Sequence, residues 1–251
     1  MALLARSSSP SARASPVLPR APSLVRVGAS VELRLGGARA AALPEGVLWL
    51  DEAKALIVSD LHLEKGSAFA LRGQMLPPYD THVALTKLAS LIESLSPDII
   101  VSLGDSFHDG GGPARMDQGD RRLLAGMIGA CDWVWVEGNH DGRAAEALGG
   151  VTRDCLTLGA LTFRHEPTGA PGEVAGHLHP CARVAGRGAS VRRRCFATDG
   201  ERLVMPAFGA FTGGLNVCNE AFASIFPDGV TALVLGRDRV LPAPQDRLLP
   251  D

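Results

Sequence analysis

The sequence lacks any long apolar run, and this absence limits the classes of protein it can encode. No segment approaches the roughly 18 consecutive apolar residues that a membrane-spanning helix needs, and the apolar residues at the start are too few for a secretory signal. We therefore expect a cytoplasmic protein with no membrane partner. Hydrophobic residues make up 46% and charged residues 21% of the 251 residues, which suits one large domain with a buried core.

Paired cysteines are also lacking. The five cysteines are odd in number and form no C-x-x-C pair, which argues against a disulfide framework and for a reducing compartment.

Acidic residues are absent from residues 1–31, although this segment carries four arginines. Its Ser/Pro/Arg-rich composition favours a disordered tail or a start codon assigned too far upstream. An organelle transit peptide is the alternative. We expect a tail over residues 1–26, one domain over residues 27–243, and a loose proline-rich end, with residues 244–251 as a second tail.

Alternating and continuous apolar segments predict a regular order of elements between these tails. The predicted strands are 31–35, 47–50, 55–59, 99–103 and 133–136, and the predicted helices are 80–95 and 117–130. Strand and helix alternate from residue 55 onward, which favours a parallel sheet with its chemistry at the carboxyl ends of the strands. Short, glycine-rich segments from residue 151 onward predict a second, more antiparallel sheet.

Six of the seven histidines lie in short clusters that also contain Asp, Asn, Glu or Gly. Asp60 and His62 are two residues apart at a strand end, so both side chains can face one ion, and His177 and His179 repeat this spacing. Asp105 is a lone carboxylate suited to bridging two cations. The clusters are 60–62, 104–109, 138–141, 165–166 and 176–179.

These side chains are the ligand types that hold neighbouring divalent ions, which indicates a metal-dependent hydrolase. Each cluster alone is a weak signal, because short D-x-H or G-N-H segments also occur in structural turns. Their order along one chain is far more specific. Two cations about 3.5–4 Å apart would neutralise the oxygens of a phosphodiester and activate water, and His140 can protonate the departing oxygen.

The order D-x-H, G-D, G-N-H-D, H, G-H-x-H resembles that of the calcineurin-like metallophosphoesterases over about residues 45–185. The resemblance implies an α/β four-layer fold, in which two packed mixed sheets are flanked by helices, and a two-metal centre. It assigns His140 as the acid for the leaving oxygen. The ligands it implies are Asp60, His62, Asp105 and His179 for one metal, and Asp105, Asn139, His165 and His177 for the other.

One position departs from the family pattern. Many members carry a second Asp three residues after the bridging one, where it orients the histidine of the G-N-H segment. Here that position is His108, with Asp109 one residue further on. Asp109 or Asp141 could take the orienting role, or His108 could act as a site histidine itself.

Further segments resemble one bacterial branch, the DNA-ligase-associated metallophosphoesterases, or DNA damage response endonucleases of the PdeM type. The resemblance implies an endonuclease in DNA repair, with DNA as substrate, Mn²⁺ as the preferred ion (Fe or Zn being alternatives), and a functional association with an ATP-dependent DNA ligase, a helicase and an exonuclease. The segments are 43–49 (LPEGVLW), 60–65 (DLHLEK), 164–167 (RHEP), 176–180 (GHLHP) and 206–214 (PAFGAFTGG).

A basic stretch follows the last histidine and is a candidate track for a phosphodiester backbone. Its arginines are Arg183, Arg187, Arg192, Arg193 and Arg194. A solvated strand face is an equally good interpretation. Two other functions remain open at this point: a phosphodiesterase or phosphatase for small molecules, and a non-catalytic scaffold of the same fold.

Overall fold

The computed structural model describes residues 22–77, 79–140, 145–186 and 188–251. Its first sheet has eight strands, and each strand pairs with its neighbour in the chain. They are β1 (Leu24–Val27), β2 (Ser30–Leu35), β3 (Ala38–Ala42), β4 (Leu48–Leu50), β5 (Ala55–Ser59), β6 (Ile99–Leu103), β7 (Asp132–Val136) and β8 (Val151–Arg153). Strands β1 to β5 are antiparallel, whereas β5 to β8 are parallel.

The parallel strands match the prediction, because their crossovers contain the two predicted helices. Helix α2 (Asp80–Leu95) has the predicted bounds, and α4 (Gln118–Ala130) begins after Asp117, whose carboxylate accepts a hydrogen bond from Gly119 N at 2.6 Å. Such a cap satisfies one free amide of the first turn. Two shorter helices, α1 (Lys65–Ala70) and α3 (Gly112–Arg115), lie in the loops after β5 and β6.

The second sheet has ten strands and is mainly antiparallel, as predicted, but it begins at residue 155 because β8 joins the first sheet. Helix α5 (Glu220–Ala223) lies near its end, and single 3₁₀ turns occupy Glu146–Leu148 and Gln245–Arg247. The strands are β9 (Cys155–Leu158), β10 (Leu161–Arg164), β11 (Glu173–Ala175), β12 (Pro180–Ala185), β13 (Ser190–Thr198), β14 (Leu203–Val204), β15 (Leu215–Asn216), β16 (Thr231–Leu235), β17 (Val240–Ala243) and β18 (Leu248–Leu249).

Three apolar clusters stack these elements into layers. Ile57 and Val101 of the first sheet share one cluster with Phe163 and Phe196 of the second, so the sheets face each other. A second cluster joins the other side of the first sheet to α2 and α4, and a third joins the second sheet to α5. Each fully buried Leu, Ile or Phe contributes roughly 1.5–3 kcal/mol. The expected α/β four-layer fold is confirmed.

The carboxyl end of the chain differs from the expectation of a loose tail. Strand β18 pairs with β12, Leu248 is buried, and the Asp251 carboxylate lies 3.0 Å from Arg192 Nε. At the other end, β1 begins at Leu24, and the predicted tail lies outside the described residues up to residue 21. Among the helices that the structure describes, none is long and apolar enough to cross a membrane.

Candidate metal centre

Three parallel strands bring polar side chains to one edge of the first sheet. Asp60 follows β5, Asp105 follows β6, and Asn139 follows β7. Two hydrogen bonds from backbone amides join these loops. His62 N donates to the backbone carbonyl of Asp105 at 2.9 Å, and His140 N donates to the carboxylate Oδ1 of Asp105 at 2.9 Å. The sheet therefore places the three loops in contact, as its parallel order predicts.

The second sheet supplies the remaining histidines from above this edge. His165 follows β10, and its Nδ1 lies 3.0 Å from the carbonyl of Leu103 at the end of β6. A carbonyl can only accept, so Nδ1 carries the proton and Nε2 keeps its lone pair. That Nε2 lies 2.8 Å from Asn139 Oδ1 and 3.2 Å from His177 Nδ1. Electron-rich atoms crowd together here, as they do around a cation.

A second group of donor atoms forms around Asp60. His179 Nε2 lies 3.1 Å from Asp60 Oδ1 and 3.3 Å from His62 Nε2. Asp60 Oδ2 accepts from Ser59 Oγ at 2.5 Å and from His177 N at 3.1 Å. Asp60 Oδ1 is fully buried and receives no hydrogen bond within the described part of the chain. A buried carboxylate oxygen without a donor is costly, and a cation at this position would relieve that cost.

Asp105 lies between the two groups. Its Oδ2 is 3.5 Å from His165 Nε2 and 3.9 Å from His62 Nε2, while its Oδ1 is held by the His140 amide. One carboxylate thus faces donor atoms of both groups, which is the arrangement that a bridging ligand requires. The structure therefore brings all seven predicted ligands together. The residues present fit divalent metal ions.

Backbone conformation distinguishes these residues from the rest of the sheet edges. Five of the seven adopt left-handed φ angles, which cost of order 1–3 kcal/mol each where no glycine is present. Such strain persists only where surrounding contacts fix the backbone. The angles are 52° at Asp60, 43° at His62, 46° at Asp105, 70° at His177 and 46° at His179.

The electrostatic environment favours the protonation states that metal ligation needs. Burial lowers the pKa of His62 to about 3, so its imidazole is neutral at physiological pH. Burial by itself raises the pKa of Asp60, but the nearby His179 and His165 imidazoles and the Ser59 hydroxyl outweigh it and hold the pKa below its ordinary value. Both groups can therefore bind a cation without first losing a proton at neutral pH.

His140 lies at the open side of the centre. Its side chain is 47% exposed, and its Nε2 is 3.9 Å from Asp105 Oδ2. The His140 ring stacks on His108, with 5.8 Å between ring centroids, and His108 in turn packs against Phe69. Burial lowers the pKa of His108, and the charge of Lys65 lowers it further. His108 is therefore a site histidine by position, which is one of the alternatives that the sequence left open.

Asp109 does not contact His140 within the described residues. Its carboxylate lies 2.8 Å from Arg115 Nη2 and accepts a hydrogen bond from Gly111 N at 2.9 Å. The carboxylate therefore closes a turn toward α3, and the orienting role considered for it has no support in its contacts. Asp141, the other candidate for that role, lies outside the described residues.

The basic stretch divides into arginines that the fold uses and one that it leaves exposed. On the β12–β13 hairpin, Arg192 donates to Gly214 O at 2.6 Å, and Arg183 donates to Ser190 Oγ at 2.9 Å. Arg194 is half-buried and donates to the loop of residues 206–214. Arg193 is exposed and donates only to Arg192 O among the described residues. Arg187 lies outside the described residues.

Sequence reasoning missed two contributors to this centre. Ser59, the last residue of β5, binds the carboxylate of Asp60, and a polar residue ending an apolar strand was the available signal. The loop of residues 206–214, which the sequence marked only by its family resemblance, lies against Asp60. Its contacts are long-range, and no local pattern encodes them.

Comparison with known proteins gives a family and several structures. The family model of the calcineurin-like phosphoesterases matches residues 53–201, a span that contains all seven donor residues. No curated protein sequence matches the chain.

Among solved structures, the chain resembles the nuclease MPE of Pseudomonas putida at 24% identity, with a TM-score of 0.67, covering 85% of this chain and 100% of that one. The phosphoesterase Yfce of E. coli matches at 16% identity and a TM-score of 0.39, covering 76% and 98%. A protein of unknown function from Aquifex aeolicus, AQ665, matches at 16% identity and 0.38, covering 50% and 78%.

Proposed function

Since the chain belongs to the calcineurin-like phosphoesterase family and is a metal-dependent phosphoester hydrolase, we propose that it is a two-metal phosphodiesterase that cleaves DNA. The observation that carries the two-metal part is the position of Asp105 Oδ2, within 3.9 Å of both His62 and His165. This oxygen lies between two sets of donors, one around Asp60 and His179 and one around Asn139 and His177, and is placed to contact an ion in each.

The donor set supports the proposed ligands. Asp60, His62 and His179 would hold one ion, Asn139, His165 and His177 would hold the other, and Asp105 would contact both. When bound, two such ions neutralise phosphate oxygens and lower the pKa of water to near neutrality. Nitrogen and oxygen donors without thiolate suit Mn, Fe or Zn; we propose Mn²⁺ because the sequence resembles a manganese-using branch.

The chain's own residues supply the remaining steps. The His140 ring is exposed and lies beside Asp105, so its Nε2 is placed to give a proton to the departing oxygen. The His108 ring lies beside the His140 ring, with 5.8 Å between their centroids. His165 Nδ1 donates to Leu103 O, which fixes the tautomer that leaves Nε2 free to bind an ion.

Two considerations favour a nucleic-acid substrate. The solved structure that shares the fold over its whole length is described as a nuclease, and the sequence resembles the ligase-associated branch over most of the domain. On that resemblance we also propose a cytoplasmic DNA-repair role beside an ATP-dependent ligase, a helicase and an exonuclease.

A substrate panel tests the proposal. Purified protein with Mn²⁺ would be assayed on single-stranded, duplex and flap DNA, on a cyclic nucleotide and on bis-p-nitrophenyl phosphate. We expect metal-dependent cleavage inside DNA strands. Asp105→Asn, prepared in parallel, should be inactive and so controls for contaminating nucleases.

The contrary outcomes separate the alternatives. Hydrolysis of the small diesters without cleavage of any DNA would show a small-molecule phosphodiesterase. Bound metal without turnover of any substrate would show a non-catalytic scaffold.

A further inference from the structure

One loop of the second sheet lies against both pairs of proposed ligands that are two residues apart, Asp60 with His62 and His177 with His179. The bridging loop, residues 206–214, connects β14 to β15. At its start, Phe208 N donates to Ser59 O at 2.8 Å and Gly209 N donates to Asp60 O at 3.1 Å. Just past its end, Leu215 N lies 3.2 Å from the carbonyl of His179. The bridging loop therefore fixes the backbone beside Asp60, and Leu215, the first residue of β15, fixes it beside His179.

These two backbone positions are strained. Asp60 has a φ of 52° and His179 a φ of 46°, so each would relax to a more ordinary conformation without external contacts. A rotation of either backbone would swing its side chain away from the shared ion. Hydrogen bonds from the bridging loop at Asp60 and from Leu215 at His179 oppose that rotation.

Arg194 holds the bridging loop in place. Its Nη1 donates to Ala207 O at 3.0 Å, and its Nη2 donates to Ala210 O at 2.9 Å and to Thr212 Oγ1 at 3.0 Å. Thr212 Oγ1 donates onward to Gly209 O at 2.9 Å, which closes the loop on itself. Within the described chain, all of these partners are neutral oxygens. A guanidinium offers five donors in a fixed fork, a geometry that lysine cannot reproduce.

The loop also fits tightly against the ligand-bearing turn. A Cβ at Gly209 would strike the carbonyl oxygen of Leu61 and come within 3.2 Å of Asp60 O. A Cβ at Gly213, four residues along the same loop, would meet nothing within 4 Å. A Cβ at Gly214, the last residue of the loop, would come within 2.6 Å of the carbonyl oxygen of His179. The loop is therefore closely packed beside both Asp60 and His179, and open between them at Gly213.

We propose that Arg194 is a positioning residue for the metal centre, acting through the bridging loop to hold Asp60 and His179 in their binding geometry. This inference rests on the proposed metal centre. It assigns Arg194 a role in metal affinity in place of the DNA contact that the sequence suggests. Residues that orient metal ligands change affinity by roughly 10- to 100-fold when removed.

Mn²⁺ binding to the metal-free full-length protein tests the proposal, measured by isothermal titration calorimetry. We expect Arg194→Met and, independently, Gly209→Ala to weaken Mn²⁺ affinity by roughly 10- to 100-fold. Their matched controls, Arg193→Met on the same strand and Gly213→Ala in the same loop, should bind as the wild type does. Arg194→Lys reaches fewer of the acceptors and should recover part of the affinity.

A second readout separates positioning from general damage. For both variants, the Mn²⁺ concentration needed for half-maximal hydrolysis of bis-p-nitrophenyl phosphate should rise, and kcat at saturating metal should return close to wild type. Far-UV circular dichroism and the thermal midpoint of the metal-free proteins report folding. If Arg194→Met does not fold, Arg194→Lys tests the role of Arg194, which wild-type affinity in that variant would overturn, and Gly209→Ala tests the role of the bridging loop.

Wild-type affinity in folded Gly209→Ala would overturn the role of the bridging loop, and wild-type affinity in folded Arg194→Met would overturn the role of Arg194. A wild-type protein that binds no Mn²⁺, Fe²⁺ or Zn²⁺ would instead overturn the proposed metal centre itself.

Discussion

At the metal centre, polar atoms from distant segments face one another without satisfying each other, whereas on the adjacent β12–β13 hairpin most arginines end on neutral oxygens. Among the described residues, Asp60 Oδ1 is buried without a hydrogen-bond donor, and the His165 Nε2 lone pair faces Asn139 Oδ1 at 2.8 Å. Arg194, in contrast, reaches several acceptors of the bridging loop. In the sequence, both the proposed metal ligands and the arginines of the hairpin form clusters of residue types that are common in functional sites.

The difference lies in whether the fold itself uses the polar group. A buried polar atom that is left unsatisfied costs free energy, so a cluster of such atoms indicates a ligand that completes them. A charged group whose donors are already bonded to the backbone has little left to offer a substrate. Satisfaction of hydrogen bonds therefore separates functional from structural residues here better than residue type does.

His140 gives the largest test of this comparison, because its ring is the exposed, uncommitted group at the centre. We expect His140→Ala to lower kcat by about 10²–10⁴-fold, the usual contribution of a positioned acid. Metal content, measured by elemental analysis, should stay at the wild-type value, because the substitution keeps the backbone amide of His140 that donates to Asp105 Oδ1. Unchanged turnover in His140→Ala would remove it from the reaction.

Sequence patterns predicted the part of the centre that the first sheet builds. Asp60, Asp105 and Asn139 each follow a continuous apolar strand, and the alternation with α2 and α4 makes those strands parallel. Parallel strands end at one edge, so the three side chains had to be neighbours. The histidines of the second sheet were a different matter, because β10 and β11 are short and lack periodicity. Only the order of motifs along the chain placed His165, His177 and His179.

Contacts between a side chain and the backbone of a distant segment leave no pattern in the local sequence, so they could not be predicted. The anchoring of residues 206–214 by Arg194 depends on the hairpin register, in which Arg194 pairs with Cys181. The strand at Leu248–Leu249 is two residues long and follows a proline-rich segment, so local composition suggested a loose tail. Tertiary pairing outweighs local composition in both cases.

Arg193 sharpens the comparison from the other side, since its side chain points away from Arg192 and Arg194 on the strand and is exposed. If the hairpin contacts DNA, Arg193→Ala should raise KM for single-stranded DNA by about two- to fivefold, as expected for one exposed charge. The salt dependence of that KM should weaken by roughly 0.7 in log–log slope. Hydrolysis of bis-p-nitrophenyl phosphate should not change. Equal effects on both substrates would contradict a phosphate contact.

Asp109 lies between the two kinds of residue compared here. It is adjacent in sequence to His108 of the centre, yet its carboxylate already has hydrogen-bond partners in the fold. Burial opposes ionisation, but Arg115 and the Gly111 amide together outweigh it and hold the pKa of Asp109 below its ordinary value. A lowered pKa stabilises the folded protein above the unfolded-state pKa, and the stabilisation is lost as pH falls through the folded value. The pair is partly exposed, so we expect Asp109→Asn to lower the free energy of unfolding by less than about 1 kcal/mol at pH 7. Urea unfolding of the metal-free protein at pH 7 and near pH 3 should show the difference shrinking toward the acid end. Turnover should stay near wild type, and a loss as large as that of His140→Ala would show that Asp109 serves His140 after all.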